Sequence, residues 1–159
     1  MNNVYLGIGS NIYPRLFYIY SALNQIENKI GKIVQMSSVH QTEPWNMPAN
    51  TPFFYNLCIH TKTNLSAEEI LNTIFEIEKT LGRNKSYTRN TEYQSRTIDI
   101  DILLFNDAII TSEHLIIPHP HLHQRKFVLS PLAEIASNVQ HPVLKTSIQN
   151  LLHNEICMY

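Results

Sequence analysis

Residues 96–103 read Arg-Thr-Ile-Asp-Ile-Asp-Ile-Leu, and this strict alternation is the strongest constraint in the chain. Side chains on a β-strand point alternately to its two faces. Ile98, Ile100 and Ile102 therefore share one face, and Asp99 and Asp101 share the other. At roughly 3.4 Å per residue, the two carboxylates stand about 7 Å apart along the strand. Such a strand needs a core on one side and a polar environment on the other, as antiparallel sheets provide. Alone, an Asp-x-Asp pair is more often the solvated face of a half-exposed strand. What surrounds the pair here points elsewhere.

The rest of the pattern fits around that strand. Val4 to Gly9 reads as a short buried strand running into a Ser10-Asn11 turn. Leu16, Ile19, Tyr20, Leu23, Ile26 and Ile30 recur at helical spacing, with Gly31 as the stop. Lys32 to Gln41 is a strand, and the proline-rich segment from Thr42 to Pro52 a loop. Phe53 to Thr63 is a second long strand. Ser66 to Glu69 opens a helix with a capping box, and that helix ends at Gly82. Asn84 to Ser95 is a polar loop, Ile98 to Phe105 the strand above, and Ala108 to Ile110 a partner for it across Asn106-Asp107. Gln124 to Ala136 reads as a short helix carrying Pro131, and Ser147 to His153 as a last turn or two. The order β-α-β-β-α-β predicts an α+β, ferredoxin-like sandwich, with helices on one face of an antiparallel sheet and long loops. Its 159 residues are expected to form a single domain, 1–159.

Charge narrows the function. The whole chain is at −1, so it is no general nucleic-acid coat. Yet Lys79, Arg83, Lys85, Arg89 and Arg96 face only Glu92 within 79–96, and two of the three aspartates follow at once. A basic loop leading into paired carboxylates points to a polyanion handled with divalent cations. Hard carboxylates share hard cations such as Mg²⁺. Two metals about 3.5–4 Å apart can bridge phosphate oxygens. Gly7-x-Gly9 lacks the spacing and the Gly-Lys-Ser/Thr of a P-loop, so arginines and metals would have to hold the phosphates. No apolar run approaches the roughly 20 residues of a membrane span, and Met1-Asn2-Asn3 has no basic leader. With Cys58 and Cys157 forming no framework, the expectation is a stand-alone cytoplasmic monomer that binds neither membrane nor nucleic acid.

Several separated pieces then form an ordered set. They are Gly9-Ser10-Asn11, Ser37-Ser38, Thr42-Glu43-Pro44, Asn56, Glu78, Gly82-Arg83, Arg96 to Asp101, Pro118-His119, and Arg125 with Phe127 before Pro131-Leu132. In that set the chain resembles the 6-hydroxymethyl-7,8-dihydropterin pyrophosphokinases of folate biosynthesis over essentially its full length. The resemblance implies transfer of the pyrophosphoryl group of ATP to the pterin hydroxymethyl group, releasing AMP. It implies two Mg²⁺ ions on Asp99 and Asp101, with Arg83 and Arg96 near the phosphates. Arginine stays charged and grips phosphate with two parallel bonds. For the pterin it implies stacking on Phe54 and Phe127, an edge partner in Asn56, and further contacts from Thr42, Glu43, Trp45 and the loop aromatic Tyr93. Trp45 is otherwise simply a surface aromatic. For ATP it implies Glu78, Lys85, Arg96, the backbone at Ile102, His119 and Arg125. Arg89 falls in a lengthened part of the loop and takes no role. His114 and Ile116 stand where the family often has other polar residues. The loops 42–52 and 84–95 are expected to close over bound substrates.

His119-x-His121-x-His123 invites a zinc reading. Pro118 and Pro120 break the strand that would align the three, so His119 is assigned to phosphate and the other two to solvent. Two other functions remain open at this stage. One is an RNA-binding module, motivated by sheet aromatics and the basic loop but lacking an RNP1-like pattern. The other is an ordinary kinase that releases ADP.

Overall fold

A computed structural model of the chain describes residues 1–83 and 95–157. The elements run β1 (Asn2–Ser10), α1 (Arg15–Lys29), β2 (Lys32–Met36), β3 (His40–Thr42), β4 (Phe54–Thr63), α2 (Ala67–Thr80), β5 (Asp99–Phe105), β6 (Ile110–Thr111), β7 (Ile116–Ile117), α3 (Lys126–Ala136) and α4 (Ile148–Cys157), with a 3₁₀ turn at Leu122–Gln124. The main sheet has the order β2-β4-β1-β5, every pair antiparallel, and β3 adds to β4 beyond β2. This is the α+β, ferredoxin-like arrangement expected from the alternation of strands and helices.

The period-2 patterns decide which face each residue takes. Val4, Leu6, Ile8, Leu57, Ile59, Ile100 and Ile102 meet Ile19, Ile26, Ile70, Ile74 and Ile77 of α1 and α2 in one buried cluster. Ser66 caps α2 as its sequence requires. Its hydroxyl accepts from the Glu69 N–H, and the Glu69 carboxylate takes the Ser66 N–H at 2.7 Å. Gly31 stops α1 for a reason of space. A Cβ there would lie 2.3 Å from the Lys62 carbonyl oxygen. Gly82 ends α2 at φ +86°, a conformation that costs other residues about 1 kcal/mol or more.

Three expectations need correction. The helices are not confined to one face. α3 and α4 cover part of the other, packing Val128, Leu129, Leu132, Ile148 and Leu151 on Cys58 and Leu103. The strand expected over 32–41 is two strands. Ser37 interrupts it, because its hydroxyl takes the Cys58 N–H at 2.9 Å in place of a ladder carbonyl. Finally, 108–110 does not pair with β5. Asn106, at φ +47°, donates its N–H to the Asn3 carbonyl and accepts the Asn3 N–H on Oδ1, both at 2.8 Å. That ties the turn to β1 and sends the chain on, so β6 pairs with β7 instead.

Candidate active site

The part of the outer sheet face that α3 and α4 leave uncovered is the floor of a cavity of about 460 Å³. Three neighbouring strands build it, since Gly9 lies opposite Asn56 on one side and Asp99 on the other, and Gly7 opposite Cys58 and Asp101. Both glycines keep the floor low. A Cβ on Gly9 would lie 2.6 Å from Asn56 Oδ1, closer than any packing allows. Asp99 and Asp101 rise beside them from β5, as the alternation predicts.

Asp99 is held by arginine. Arg83 reaches Asp99 Oδ1 at 2.5 Å and also bonds the Glu78 carboxylate. Arg96 reaches Asp99 Oδ2 at 2.6 Å. The turn at Gly82 makes the first contact possible. It returns the Arg83 N–H to the Glu78 carbonyl at 2.9 Å, so the side chain starts beside the end of α2. Burial acts to lower the Arg83 pKa, but the Asp99 and Glu78 carboxylates outweigh it and leave it raised. Glu78, buried at 2% exposure, also takes the Ile100 N–H on Oε1 at 2.9 Å and so welds α2 to β5. Arg96 is set by Asn11, whose Oδ1 accepts the Arg96 N–H at 2.7 Å, while its Nδ2 donates to Ser95 Oγ at 3.0 Å.

Asp101 has looser company. His119 Nε2 lies 3.8 Å from its Oδ2 and Arg125 3.9 Å, both beyond hydrogen-bond range. Burial first, and then the charge of Asp99, push its pKa up to about 7, against the pull of Arg125. His119 moves the other way, to about 4, through burial and the charge of Arg125. It is therefore neutral near pH 7. Its Nδ1 accepts the His121 N–H at 3.2 Å, so its proton sits on Nε2, the nitrogen nearer Asp101.

Part of the cavity wall is aromatic. Trp45 and Phe127 stand with centroids 6.5 Å apart and planes at 51°, and the Arg125 guanidinium lies 5.0 Å from the Trp45 centroid. Trp45 is thus part of the wall rather than a solitary surface ring. Phe54 lines the same cavity. Asn56 donates Nδ2 to Thr42 Oγ1 at 2.7 Å, which fixes the orientation of its amide.

Of the residues singled out by sequence, Arg83, Arg96, Asp99, Asp101, Thr42, Glu43, Trp45, Phe54, Asn56, Phe127, Glu78, Ile102, His119 and Arg125 all line this one cavity. Tyr93, Lys85 and Arg89 lie outside the described residues. The three histidines of the 119–123 segment part company. His119 faces His121 at 6.1 Å, whereas His123 is half-buried against His141 at 6.3 Å and not in solvent as expected. Sequence reasoning missed Leu71 and Phe75 of α2, which line the cavity beside Ile116 and His114. Their helical spacing reads only as core.

A ferredoxin-like sheet with a carboxylate pair on its open face, and two arginines and a pair of rings around it, defines an α+β protein with a polar and aromatic cleft. The particular family follows from comparison. Residues 5–137 match the 7,8-dihydro-6-hydroxymethylpterin-pyrophosphokinase family, and the chain belongs to it. It is 37% identical to the 2-amino-4-hydroxy-6-hydroxymethyldihydropteridine pyrophosphokinase of Aquifex aeolicus, covering 94% of this chain and 89% of that one. The Bacillus subtilis protein of the same name is 39% identical over 88% and 82%. A solved structure of Plasmodium falciparum HPPK-DHPS superposes with a TM-score of 0.79 at 19% identity, which speaks for the fold alone. It covers 98% of this chain, and this chain spans less than half, 46%, of that one.

Proposed function

We propose that this protein transfers the pyrophosphoryl group of ATP to the hydroxymethyl oxygen of 6-hydroxymethyl-7,8-dihydropterin, a step of folate biosynthesis. The hydroxymethyl oxygen bonds to the β-phosphorus and releases its proton to solvent, the bond from that phosphorus to the α,β-bridging oxygen breaks, and AMP leaves. One observation carries the residue assignment. The carboxylate pair, both arginines and the aromatic pair converge on a single cavity. Its volume, about 460 Å³, lies within the roughly 300–1,000 Å³ usual for small-molecule sites.

Asp99 and Asp101 are the residues that would hold two Mg²⁺ ions, and the donor set fits. Both are hard oxygen ligands on one strand face, and the raised pKa of Asp101 marks a place short of positive charge. Among the described residues no group of three or more histidine, cysteine, aspartate or glutamate side chains is arranged to hold a metal ion by itself. That suits an ion that keeps waters and takes phosphate oxygens. Bound there, the ions supply neutralisation of phosphate charge. The chain's own groups do the rest. Arg83 and Arg96, released from Asp99, grip phosphate oxygens, and neutral His119 offers its Nε2–H to another. Phe54, Phe127 and Trp45 take the faces of the pterin, and Asn56, held by Thr42, meets its amide edge. Glu78, Ile102 and Arg125 border the nucleotide, joined by Lys85, with Tyr93 on the pterin side. Phosphoryl transfer asks mainly for such positioning and charge stabilisation.

Among the described residues no helix is long and apolar enough to cross a membrane. We place the reaction in the cytoplasm, performed by a monomer of one domain whose partners are its small-molecule substrates. The test is a product assay with Mg-ATP and the pterin, resolving AMP from ADP, with EDTA and no-pterin controls. Pterin-dependent AMP that vanishes with EDTA is expected. ADP would make the protein an ordinary kinase, and neither product from folded protein would overturn the reading. Asp99→Ala and Asp101→Ala are each expected to lower turnover at least about 100-fold, in line with loss of a principal charge-stabilising group, with the far-UV dichroism unchanged. Near-normal turnover in either would refute the metal assignment.

A further inference from the structure

β3 is three residues long and pairs with β4. Thr42, at its end, lines the cavity and receives the Asn56 amide, so the place of this strand sets one edge of the site. Three residues of ladder are a weak tether. A second comes from the layer opposite. Glu134, on α3, accepts the Ser38 backbone N–H on Oε2 at 2.8 Å. Its Oε1 takes the Ser38 hydroxyl at 2.7 Å and faces His40 Nε2 at 2.6 Å. Ser38 Oγ and His40 Nε2 are themselves 3.2 Å apart, which closes the cluster. The cluster is no nucleophile relay. Ser38 and Glu134 meet the same imidazole nitrogen, and a relay needs them on opposite ones. Phe127 stands seven residues before Glu134 on the same helix, two turns away, and is itself a wall of the cavity. Glu134 does not line the cavity.

We infer that Glu134 is a positioning residue: it straps β3 to α3, so that the Thr42–Asn56 edge and the Phe127 face, which both line the cavity, are held in place relative to one another. The inference rests on the pterin reading above. Three donors converge on one carboxylate, and its pKa is held below the usual range, by the Ser38 N–H first. The strap is therefore fully formed at neutral pH, and nothing in it depends on substrate. It pre-sets a gap that Thr42 and Phe127, on separate layers, would otherwise have to find on binding.

The test uses Glu134→Ala and Glu134→Gln in the full chain. It measures steady-state AMP formation and, separately, equilibrium pterin binding by quenching of Trp45 fluorescence. Glu134→Ala is expected to raise the pterin KM and Kd about tenfold through misplacement of the edge, with the KM for ATP and kcat within about twofold. Glu134→Gln keeps an acceptor and is expected to recover part of the loss. A lower melting temperature with unchanged pterin KM and Kd overturns the inference and leaves Glu134 a stabilising contact only. Should Glu134→Ala not fold, Ser38→Ala and His40→Ala each remove one partner, and each must raise the pterin KM for the inference to stand. Wild-type protein that makes no AMP refutes the function itself, and the wild-type control tells that result from the other.

Discussion

At Asp101, burial and the neighbouring Asp99 carboxylate make the proton hard to remove, and the pKa rises to about 7 from an ordinary value near 4. The sign of the consequence follows from linkage. Between those two values the native state keeps a proton that the unfolded chain has lost, so stability falls as pH rises through that window. The melting temperature of the wild type, compared with that of Asp101→Asn, is expected to drop between pH 5 and pH 7.5. Mg²⁺ at pH 7.5 should restore it in the wild type and leave Asp101→Asn unmoved. A flat difference across the window would show that Asp101 titrates as an ordinary carboxylate. Asp99, two residues away, has Arg83 and Arg96 on its two oxygens. Sequence alternation puts both aspartates on one face, but it says nothing of this asymmetry, because the arginines arrive from the end of α2 and from the segment before β5.

The elements show two ways in which a glycine can end a helix. Gly31 stops α1 because the Lys62 carbonyl leaves no room for a Cβ, while Gly82 stops α2 because the backbone turns left-handed, with room for a Cβ in ordinary contact with Thr97 at 3.9 Å. Alanine at 82 should therefore cost about 1 kcal/mol, the conformational penalty alone. Alanine at 31 should cost more, about 1–3 kcal/mol or above, because β4 must move. Chemical denaturation of the two variants decides it, and equal losses would refute the distinction. Both helix ends are legible in the sequence, yet the reason for each is not, since a glycine looks the same whether it serves torsion or space. Long strands and helices are legible because each repeats a period several times, and the capping box because Ser66 and Glu69 stand at a fixed spacing. β6 and β7, two residues apiece, hold no period, and the pairing of 110–111 with 116–117 is accordingly misread as a hairpin onto β5.

On the scale of the whole molecule, one sheet serves two helical layers. α1 and α2 bury its inner face, and α3 and α4 bury part of the other. The second layer escapes sequence reading because α4 runs to Cys157, well past the turn or two that its pattern advertises. With Cys58 and Leu103 locked into one layer and Leu57 and Ile102 into the other, neither layer can leave without exposing the sheet. Unfolding is expected as a single transition. Fluorescence of Trp45, the one tryptophan, reports the outer layer, and far-UV dichroism reports all the helices. Their denaturation curves should coincide, and separated midpoints would mean that the layers come apart independently. Fourteen of the thirty residues that line the cavity are legible as candidates, chiefly because charge and aromatic type stand out in a sequence. What draws them to one place is the register of β4, β1 and β5, which only the folded chain displays.

That register leaves Gly7 and Gly9 as the paving between Asn56, Cys58 and the aspartates. A wall of side chains can be remodelled in either direction, by trimming or by enlarging. Paving of hydrogen atoms can only be built upon, and at Gly9 the first added carbon already strikes Asn56. A ligand resting on this floor would therefore find it fixed at Gly9, where an added side chain must displace Asn56, and open to a methyl group at Gly7, where Leu103 lies at an ordinary 3.4 Å.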